Sequence, residues 1–471
     1  KLLLKQNQKN LKIQNNSQDK TKHGGGVASP VFCFIQVLFY LSPCYTVTML
    51  LELLFQTSGI WFPILIIIWC FTAGRKMWAE YIMKEAISKA EWVMLEIRTP
   101  QDVFKTPLAM EMIFMSLRSG TPAIAELTFT DLFTNFSDFY KAYWKGEIFA
   151  NYASLEIAST EGRVSFYIRT VKKNQQNVEN VIYAQYPRAE VITVDDYTKM
   201  IPEWTPDGDW VLDACEWATT KDDAYPIRTY VDWGLDSKSL GLDEEQKIDP
   251  ISPMIETFGA ISSGEHLWIQ FVIREATKKK NKDGELKDWI TEGQDFIKKI
   301  IKEHSNTEIV TTKDDKEVKN LVGGFKNLSP IDQEIVEAIQ KSIQKYGFDV
   351  GIRAIYLAKK DSDKKRIASL KTAFNHFNWQ YLNNFKASGP GFSLPWEDFK
   401  DRRKNKQLKE YFEFYINRTF FYPPAKDKKI FVLNTEELAT IIHFTERTIT
   451  TPSLTRVESQ KSGPPSNLPI G

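Results

Sequence analysis

The stretch SLEIASTEGRVSFYIR, residues 154–169, predicts a β-hairpin and so decides the class of fold. In its second half the apolar side chains of Val164, Phe166 and Ile168 alternate with polar ones. A period of two places successive side chains on opposite faces of a sheet. A helical pattern and then another strand pattern follow as far as residue 194. Together these elements give most of a ferredoxin-like, split βαβ unit.

A second module of the same kind is predicted further along the chain. The segment FVIR at 271–274 echoes FYIR at 166–169, and each precedes a helical pattern. A strand pattern over 255–261 lies ahead of the second segment, and helices are inserted after it. Such an echo indicates a distant duplication. The predicted fold class is therefore α+β, with one or two N-terminal transmembrane helices followed by two ferredoxin-like (split βαβ) modules with helical insertions, at 147–248 and 249–428.

Two uncharged apolar runs near the start predict the transmembrane part. Residues 29–51 and 53–73 contain no charged side chain, and each is long enough for the roughly 20 residues that span a bilayer. Arg75 and Lys76 follow the second run, and the positive-inside rule then places the rest of the chain in the cytoplasm. We predict the membrane anchor at 49–74.

Two interpretations of the residues before this anchor stay open. Residues 1–48 form a leader, first polar and then apolar, that begins with Lys1. If the leader is translated, its apolar run gives a second span and a helical hairpin. If translation instead begins at Met49, the anchor is a single helix. In both cases we expect juxtamembrane helices over 75–146.

A Met-containing stripe is predicted within these helices. Thr106 and Pro107 favour a helix start, because Thr caps helices and Pro suits the first turn. Leu108, Met112 and Met115 then recur at the i, i+4, i+7 spacing of one helix face. Flexible Met side chains suit a partner-binding face, but such stripes more often belong to a core, and we expect the core.

Composition and motif content argue against an enzyme. The chain has 61 basic and 60 acidic residues, a net charge of +1, which excludes a globally polybasic nucleic-acid binder. Its four cysteines form no CxxC pair, and no two of its five histidines have metal-ligand spacing. GxxxxGK[ST], HExxH and GxSxG motifs do not occur. We predict no enzyme activity, cofactor or metal; a membrane enzyme would need a pocket of converging carboxylates.

Charge is distributed unevenly along the chain. Residues 190–265 include 5 basic and 18 acidic side chains, whereas 353–429 include 18 basic and 8 acidic ones. A dipolar body of this kind can steer a charged partner or pair with a second copy.

The basic stretch also contains aromatic residues, and that combination can bind single-stranded nucleic acid, although such a pattern more often places the aromatic residues inside the fold and the lysine residues outside. The alternative function is therefore a membrane-tethered nucleic-acid-binding protein that uses 353–429. The aromatic residues are Trp379, Tyr381, Phe412, Phe414, Tyr415, Phe420, Phe421 and Tyr422. The predicted nucleic-acid contacts are Lys364, Lys365, Arg366, Arg402, Arg403 and Lys404.

The C-terminal part, 429–471, predicts a short strand, a short helix and a Pro-rich tail. Asn434 and Glu437 have the capping-box spacing for a helix over 435–442. The residues in and after this helix resemble a known family through FVLNTEELAT at 431–440, His443-Phe444, Thr451-Pro452, Arg456-Val457-Glu458 and PPSNLP at 464–469. Earlier segments with the same resemblance are LEIRTP at 95–100, KTPLAME at 105–111, FYIR at 166–169, YAQYP at 183–187 and LWIQ at 267–270.

These segments together are similar to the membrane-anchored, non-ATPase half of coupling-protein-like proteins of type IV secretion and conjugative DNA transfer in candidate-phyla bacteria. In that family the nucleotide-binding motor follows the tail, and the present residues contain none. The resemblance implies a membrane-anchored, cytoplasm-facing scaffold at the bacterial cytoplasmic membrane, with a motor ATPase in trans and a homo-oligomeric assembly as partners. The residues predicted to dock the partner are Glu436, Glu437, His443, Phe444, Arg456, Pro464 and Pro465.

Overall fold

A broad antiparallel sheet organises the computed structural model of this chain. Among the residues that the structure describes, this sheet has nine strands. The chain divides into two compact units, 1–77 and 78–471, and the sheet belongs to the second. The structure describes residues 58–99, 106–118, 152–201, 203–236, 248–277, 279–280, 286–304, 307–311, 317–321, 328–360, 366–391, 398, 401–422, 425 and 430–444.

The elements follow one another along the chain with these bounds. The strands are β1 (Trp92–Arg98), β2 (Ala153–Thr160), β3 (Arg163–Val171), β4 (Glu190–Val194), β5 (Trp210–Thr219), β6 (Glu265–Glu275), β7 (Lys279–Lys280), β8 (Leu286–Lys287), β9 (Thr307–Thr311), β10 (Glu317–Leu321), β11 (Gly347–Lys359), β12 (Phe385–Ser388) and β13 (Phe431–Asn434). The helices are α1 (Ser58–Lys89), α2 (Leu108–Ser116), α3 (Gln175–Gln185), α4 (Ser252–Gly259), α5 (Trp289–His304), α6 (Pro330–Ile343), α7 (Arg366–Ala373), α8 (Arg402–Asn417) and α9 (Thr435–Ile441).

The predicted hairpin at 154–169 is confirmed as β2 and β3, which pair directly. Its turn consists of Glu161 and Gly162, both with positive φ, at 54° and 85°. Two successive residues of positive φ give the turn type whose twist matches paired strands. The register that follows places Leu155 and Ile157 on one face of the sheet and Glu156 on the other.

Two successive groups of four strands have the same order in the sheet. The first repeat runs over residues 92–194 and gives β4-β1-β3-β2; the second runs over 210–388 and gives β12-β5-β11-β6. In each repeat one helix lies between the first and second strands, α2 or α4, and another between the third and fourth, α3 or α7. The repeats join where β2 pairs with β6, so that one sheet is continuous through both.

The predicted fold class is wrong in its transmembrane part. Among the residues that the structure describes, no helix is both long enough and apolar enough to cross a membrane. Helix α1, into which the predicted anchor at 49–74 extends, contains Pro63 and continues through a charged second half as far as Lys89. The leader at 1–48 lies outside the described residues.

The bounds predicted for the two modules, 147–248 and 249–428, differ from those of the two repeats, 92–194 and 210–388, which share one continuous sheet. Strand β1 lies in the stretch 75–146, where only helices were expected. Five of its seven residues are buried in succession, so its sequence lacks the alternation by which a half-buried strand is recognised.

Two further details of the predicted second module differ from the structure. The stretch 255–261, predicted as a strand, lies mostly in helix α4, which begins with Ser252 and Pro253. The two echoing segments lie on β3 and β6, which are the third strand of one repeat and the second strand of the other. The sequence echo therefore does not mark equivalent positions, although the order of strands in the two repeats is the same.

Helices cover the two faces of the sheet unequally. One face packs against α2, α3, α4, α7 and α9 and forms the larger apolar core. The opposite face is covered by α8, whose Leu408, Tyr411, Phe412 and Tyr415 pack on Trp268 of β6 and Ile355 of β11. A separate small core lies between α5 and α6, in the segment 276–346 that connects β6 to β11.

Helix α2 has apolar residues on two faces. Ala109, Met110, Ile113 and Phe114 are buried in the large core beneath the sheet. The stripe predicted from the sequence to be core points the other way: Leu108, Met112 and Met115 are 39%, 44% and 40% exposed. The prediction is wrong because four other apolar residues of this short helix occupy the core side.

A glycine on β11 accommodates the chain that follows α8. A Cβ atom added at Gly351 would lie 2.2 Å from the ring of Phe420, which is fully buried. Phe420 therefore occupies the space that a side chain at position 351 would need, and this contact fixes the segment 418–422, which we call the strap, against the sheet.

The substitution Gly351→Ala is expected to displace Phe420 and to lower the free energy of unfolding by roughly 1–3 kcal/mol, the usual cost of overpacking a core. Urea unfolding followed by tryptophan fluorescence measures this loss. Gly74→Ala is the control, because no atom lies within 4 Å of a Cβ at that position. Equal stability of the two variants would contradict the proposed packing of Phe420.

Candidate functional site

A row of polar side chains crosses the sheet beneath α8. The strand register places each member directly opposite the next across six neighbouring strands. Five of the six are buried, and Tyr167 is half-buried. Burial of so many polar groups in one line is costly unless each finds a partner. The members of this polar row, in order, are Glu96, Tyr167, Glu156, Gln270, Arg353 and Glu216.

Arg418 of the strap neutralises the centre of the polar row. Its Nε and Nη2 donate to the two carboxylate oxygens of Glu156 at 2.9 and 3.0 Å. Its Nη1 and Nη2 donate to the carboxylate of Asp196 at 2.5 and 2.9 Å. One buried guanidinium therefore binds two carboxylates with both sides of its planar fork.

The backbone of Arg418 is adapted to this position. Its φ is 52°, in the left-handed region that non-glycine residues rarely adopt. It ends α8, and the amide of Thr419 donates to the carbonyl of Phe414 at 3.1 Å in the manner of a left-handed helix cap. The contacts of the guanidinium compensate for the cost of this conformation.

Charge and burial have opposite effects on the groups around Arg418. Burial works against its charge, but the adjacent Glu156 carboxylate holds the pKa of Arg418 well above its ordinary value. Burial also disfavours the charge of Asp196 and would raise its pKa. The hydrogen bonds from Arg418 have a larger opposite effect, so the pKa of Asp196 is lowered. Arg418 and Asp196 are therefore both in their charged forms at neutral pH.

Two tyrosines complete the environment of Glu156. The hydroxyl of Tyr197 donates to Glu156 Oε2 at 2.6 Å, and the hydroxyls of Tyr197 and Tyr415 are 2.8 Å apart. Burial raises the pKa of both tyrosines well above the ordinary value. They therefore remain protonated and serve as hydrogen-bonding groups, not as bases.

A second ion pair joins the last two members of the polar row, Arg353 on β11 and Glu216 on β5. Arg353 Nε donates to Glu216 Oε1 at 2.7 Å, and its Nη1 donates to the carbonyl of Thr419 at 3.2 Å. Its guanidinium lies 5.4 Å from the ring centre of Phe414 and 4.9 Å from that of Phe420. Burial lowers the pKa of Arg353, although the charge of Glu216 counteracts it.

Gln270 connects the two ion pairs and also contacts α8. It lies opposite Glu156 on one side and Arg353 on the other, and its Nε2 donates to the carbonyl of Tyr415 at 3.0 Å. Through these hydrogen bonds Glu156, Gln270 and Arg353 connect α8 and the strap to strands of both repeats. The chemistry of this network is structural: its central charges are compensated inside the protein, and the described residues contain no group of three or more possible metal ligands.

The predicted docking residues that lie in the described part belong to the core. Glu437 and His443 are buried, and Phe444 packs edge-on against Phe166 and Tyr186. His443 lies with Nδ1 2.8 Å from the carbonyl of Ala439 and Nε2 3.1 Å from the Asp249 carboxylate. These three side chains therefore pack inside the described fold and present no exposed surface there. Arg456, Pro464 and Pro465 lie outside the described residues.

Glu436, the remaining predicted docking residue, belongs to a charged cluster around Lys345. Lys345 Nζ lies 2.6 Å from Glu436 Oε2 and 2.7 Å from Glu111 Oε1. Burial opposes the charge of Lys345, but its hydrogen bonds to Glu111 and Glu436 outweigh this effect and raise its pKa. Tyr230 also donates to Glu111, at 2.9 Å. This cluster connects α9 to α2 and is structural as well.

The capping box predicted for α9 is confirmed and has a further role. Glu437 Oε2 accepts from the amide of Asn434 at 2.9 Å, and Asn434 Oδ1 accepts from the amide of Glu437 at 2.9 Å. Glu437 Oε1 also accepts from the amide of Ile227 at 2.8 Å. Burial of this carboxyl raises its pKa from 4.5 to about 8.

The predicted nucleic-acid surface is only partly present in the described residues. Arg402, Arg403 and Lys404 are exposed in the first turn of α8. Lys364, Lys365 and the side chain of Arg366 lie outside the described residues. Most of the aromatic residues pack on the sheet, as the interpretation with the aromatic residues inside expects, and are not exposed for stacking on bases. The buried aromatic residues are Phe412, Phe414, Tyr415, Phe420, Phe421 and Tyr422.

The basic and acidic stretches touch at the surface of the protein. Lys409 Nζ of α8 is 3.5 Å from the carboxylate of Glu203, and Lys360 Nζ donates to the carbonyl of Asp207 at 3.4 Å. The first contact pairs opposite charges, whereas the second, to a backbone carbonyl, does not.

Sequence reasoning missed Glu156, Arg353 and Arg418. The available signal was a single charged residue inside an otherwise buried strand pattern, as in Leu155-Glu156-Ile157. It did not indicate the partner, because Arg418 is 262 residues further along the chain. No protein-family model matches this chain, and a search of the curated proteins finds no relative.

The substitution Arg418→Met is expected to lower the free energy of unfolding by roughly 3–5 kcal/mol, because it leaves the Glu156 carboxylate buried without its counter-charge. Urea denaturation at neutral pH measures the loss. Arg402→Met is the matched control, since Arg402 is exposed on the same helix, and a change within about 0.5 kcal/mol is expected there. Similar losses in the two variants would show that the Arg418 pairs do not stabilise the fold.

Glu437 is expected to make the protein less stable as pH rises. Its pKa is 4.5 when exposed and about 8 in the folded chain, so the folded state binds more protons between these values. The contribution of this group to the free energy of unfolding is fully present below pH 4.5. As the pH rises from there through 8 this contribution is lost, at up to about 1.4 kcal/mol per pH unit. Urea denaturation at several pH values should therefore give a flatter slope for Glu437→Gln than for wild type.

The control for this slope is Glu413→Gln, which removes an exposed carboxylate from α8. Its pH dependence should follow that of the wild type. Parallel curves for Glu437→Gln and the wild type would contradict the assigned role of burial at Glu437.

Proposed function

We propose that this protein is a non-catalytic scaffold that holds a separate motor ATPase, as a component of a type IV secretion-like or conjugative apparatus. The observation that carries the proposal is the pairing of the acidic side chains in the polar row: Glu156 with Arg418 and Tyr197, Glu216 with Arg353, and Glu96 with Arg98. Such pairing suits a rigid body and not a reactive site. The family resemblance supplies the identity of the partner.

The anchoring of the C-terminal segment supports the same function. Residues 431–444 include β13, α9 and, after the helix, His443 and Phe444. Nearly every side chain of this segment is buried. Strand β13 pairs with the first residues of β11, an interior strand of the sheet. The Pro-rich sequence 445–471 follows directly on this firmly held segment. A tail held in this way can transmit force from a partner to the body without unfolding its attachment.

Removal of residues 445–471 is expected to abolish co-purification with a co-expressed motor ATPase while leaving the unfolding midpoint unchanged. The cut falls after Phe444, the last buried residue of the described segment. Affinity purification of the tagged chain followed by quantification of the bound ATPase measures the effect.

Two controls make this experiment specific. Removal of 435–471 deletes α9 and the buried Glu437, so it should unfold the body and lose the ATPase for that reason alone. Pro464→Ala combined with Pro465→Ala keeps the length of the tail and tests its Pro-rich character. Undiminished binding of the ATPase by the chain that lacks 445–471 would rule out the tail as the dock.

A further inference from the structure

The imidazole ring of His443 joins the C-terminal segment to the start of α4. His443 lies two residues after α9, and its side chain is 2% exposed. Nδ1 of the ring contacts the carbonyl oxygen of Ala439, one of the last carbonyls of α9, at 2.8 Å. Nε2 contacts Oδ1 of Asp249, ahead of α4, at 3.1 Å. The ring therefore lies between two oxygen atoms from separate parts of the chain.

Both of these contacts require a hydrogen atom on the ring. A carbonyl oxygen only accepts, so Nδ1 must donate to Ala439. Oδ1 of Asp249 already accepts from the amide of Ile251 at 3.0 Å, so it is an acceptor toward the ring as well. A neutral imidazole has one donor and one acceptor nitrogen. Either neutral tautomer would therefore place a ring lone pair against an oxygen, and only the imidazolium satisfies both contacts.

The surroundings of the ring stabilise a positive charge. The side chain of Asp249 is 9% exposed, so its carboxylate is close to the ring and largely shielded from water. A cationic ring at the end of α9 also interacts favourably with the free carbonyls there. We propose that His443 is a buried imidazolium and that loss of its proton releases residues 442–444 from Asp249. We call this ion pair the latch. The proposal concerns the body of the protein and is independent of the proposed scaffold function.

Other titratable groups lie on the elements around the latch. Glu436 and Glu111 bind Lys345, and Asp232 accepts from the amide of Thr229 at 2.9 Å. Glu437 matters most for a test, because its pKa of about 8 means that it also releases a proton as pH rises. The complete set is Glu436 and Glu437 on α9, Glu111 on α2, Tyr230 and Asp232 in the 3-10 helix 230–233, Tyr186 beside Phe444, and the exposed Glu256 on α4.

The sign of the pH effect follows from the proton that the latch holds. In an unfolded or opened segment a histidine loses its ring proton near pH 6.5. The closed latch keeps that proton to a higher pH, so its contribution is complete below about pH 6.5 and is lost as pH rises further. Over that range the equilibrium constant for opening should increase by up to about tenfold per pH unit.

Hydrogen exchange of the Ile442 amide in the full chain measures this opening. That amide donates to the carbonyl of Leu438 at 3.0 Å, next to the latch. Rates are corrected for the intrinsic effect of pH on exchange. The isosteric variant Asp249→Asn keeps Glu437 but presents an amide that can donate to an unprotonated Nε2. Its opening constant should therefore rise less steeply than that of the wild type, by up to about tenfold per pH unit above 6.5.

The charge of the ring is measured directly by nuclear magnetic resonance of the chain labelled in its histidines. At about pH 7.5, where an exposed histidine is mostly neutral, His443 should give the shifts of an imidazolium in the wild type and of a neutral ring in Asp249→Asn. The variant His443→Gln identifies the resonance by its loss. Asp195→Asn is the control, because it removes a carboxylate that is 98% exposed, and it should keep the wild-type slope.

Two results would overturn the proposal. A neutral His443 ring in the wild type at about pH 7.5 overturns the imidazolium, and equal slopes for wild type and Asp249→Asn overturn the latch. If Asp249→Asn does not fold, the wild-type resonance still decides the first point. The slope of Ile442 exchange in Glu437→Gln then decides the second, because a flat slope above pH 6.5 in that variant leaves the latch no role.

Discussion

The buried side chains of Arg418 and Arg353 hold the strap against both repeats on the face covered by α8. Glu156, which pairs with Arg418, lies on β2, the strand of the first repeat that borders the second, and its neighbour across the junction is Gln270 of the second repeat. The β2–β6 pairing joins the repeats through backbone hydrogen bonds and through apolar side chains, such as Leu155 opposite Phe271. Arg418 binds the strap to Glu156 of the first repeat, and Arg353 of the second repeat donates to the carbonyl of Thr419 in the same strap.

This arrangement explains why α8 covers the sheet through both apolar and charged contacts. Apolar packing of Leu408 and Phe412 on the sheet supplies the non-directional part of the stabilisation. It does not define the position of α8 along the strands, because neighbouring apolar residues offer similar contacts. Bidentate ion pairs have a defined geometry, so Arg418 and Arg353 fix the register of the helix and the strap. Buried ion pairs contribute more to such specificity than to net stability.

The parts of the fold that could be predicted from the sequence are those specified by local signals. The β2–β3 hairpin has strict alternation and a Glu-Gly turn, and α9 has a capping box whose two members are three residues apart. Strand β1 has no such signal, because it is buried on both faces. Helix α2 is apolar nearly all round, so its spacing could not show which face is inside. The polar row depends on strand register between distant segments, and no local pattern specifies that register.

The two repeats differ most at one connection. In the first repeat, β2 and β3 are joined by the two-residue turn Glu161-Gly162, whereas in the second repeat the equivalent strands β6 and β11 are joined by the segment 276–346 with α5 and α6. The entropy of closing a loop grows only with the logarithm of its length, by about 0.6 kcal/mol for each doubling. The β6–β11 ladder, eleven residue pairs long, defines the positions of both loop ends whatever lies between them. This connection is therefore a place where evolution can exchange or enlarge a whole subdomain while the sheet, and everything packed on it, keeps its geometry.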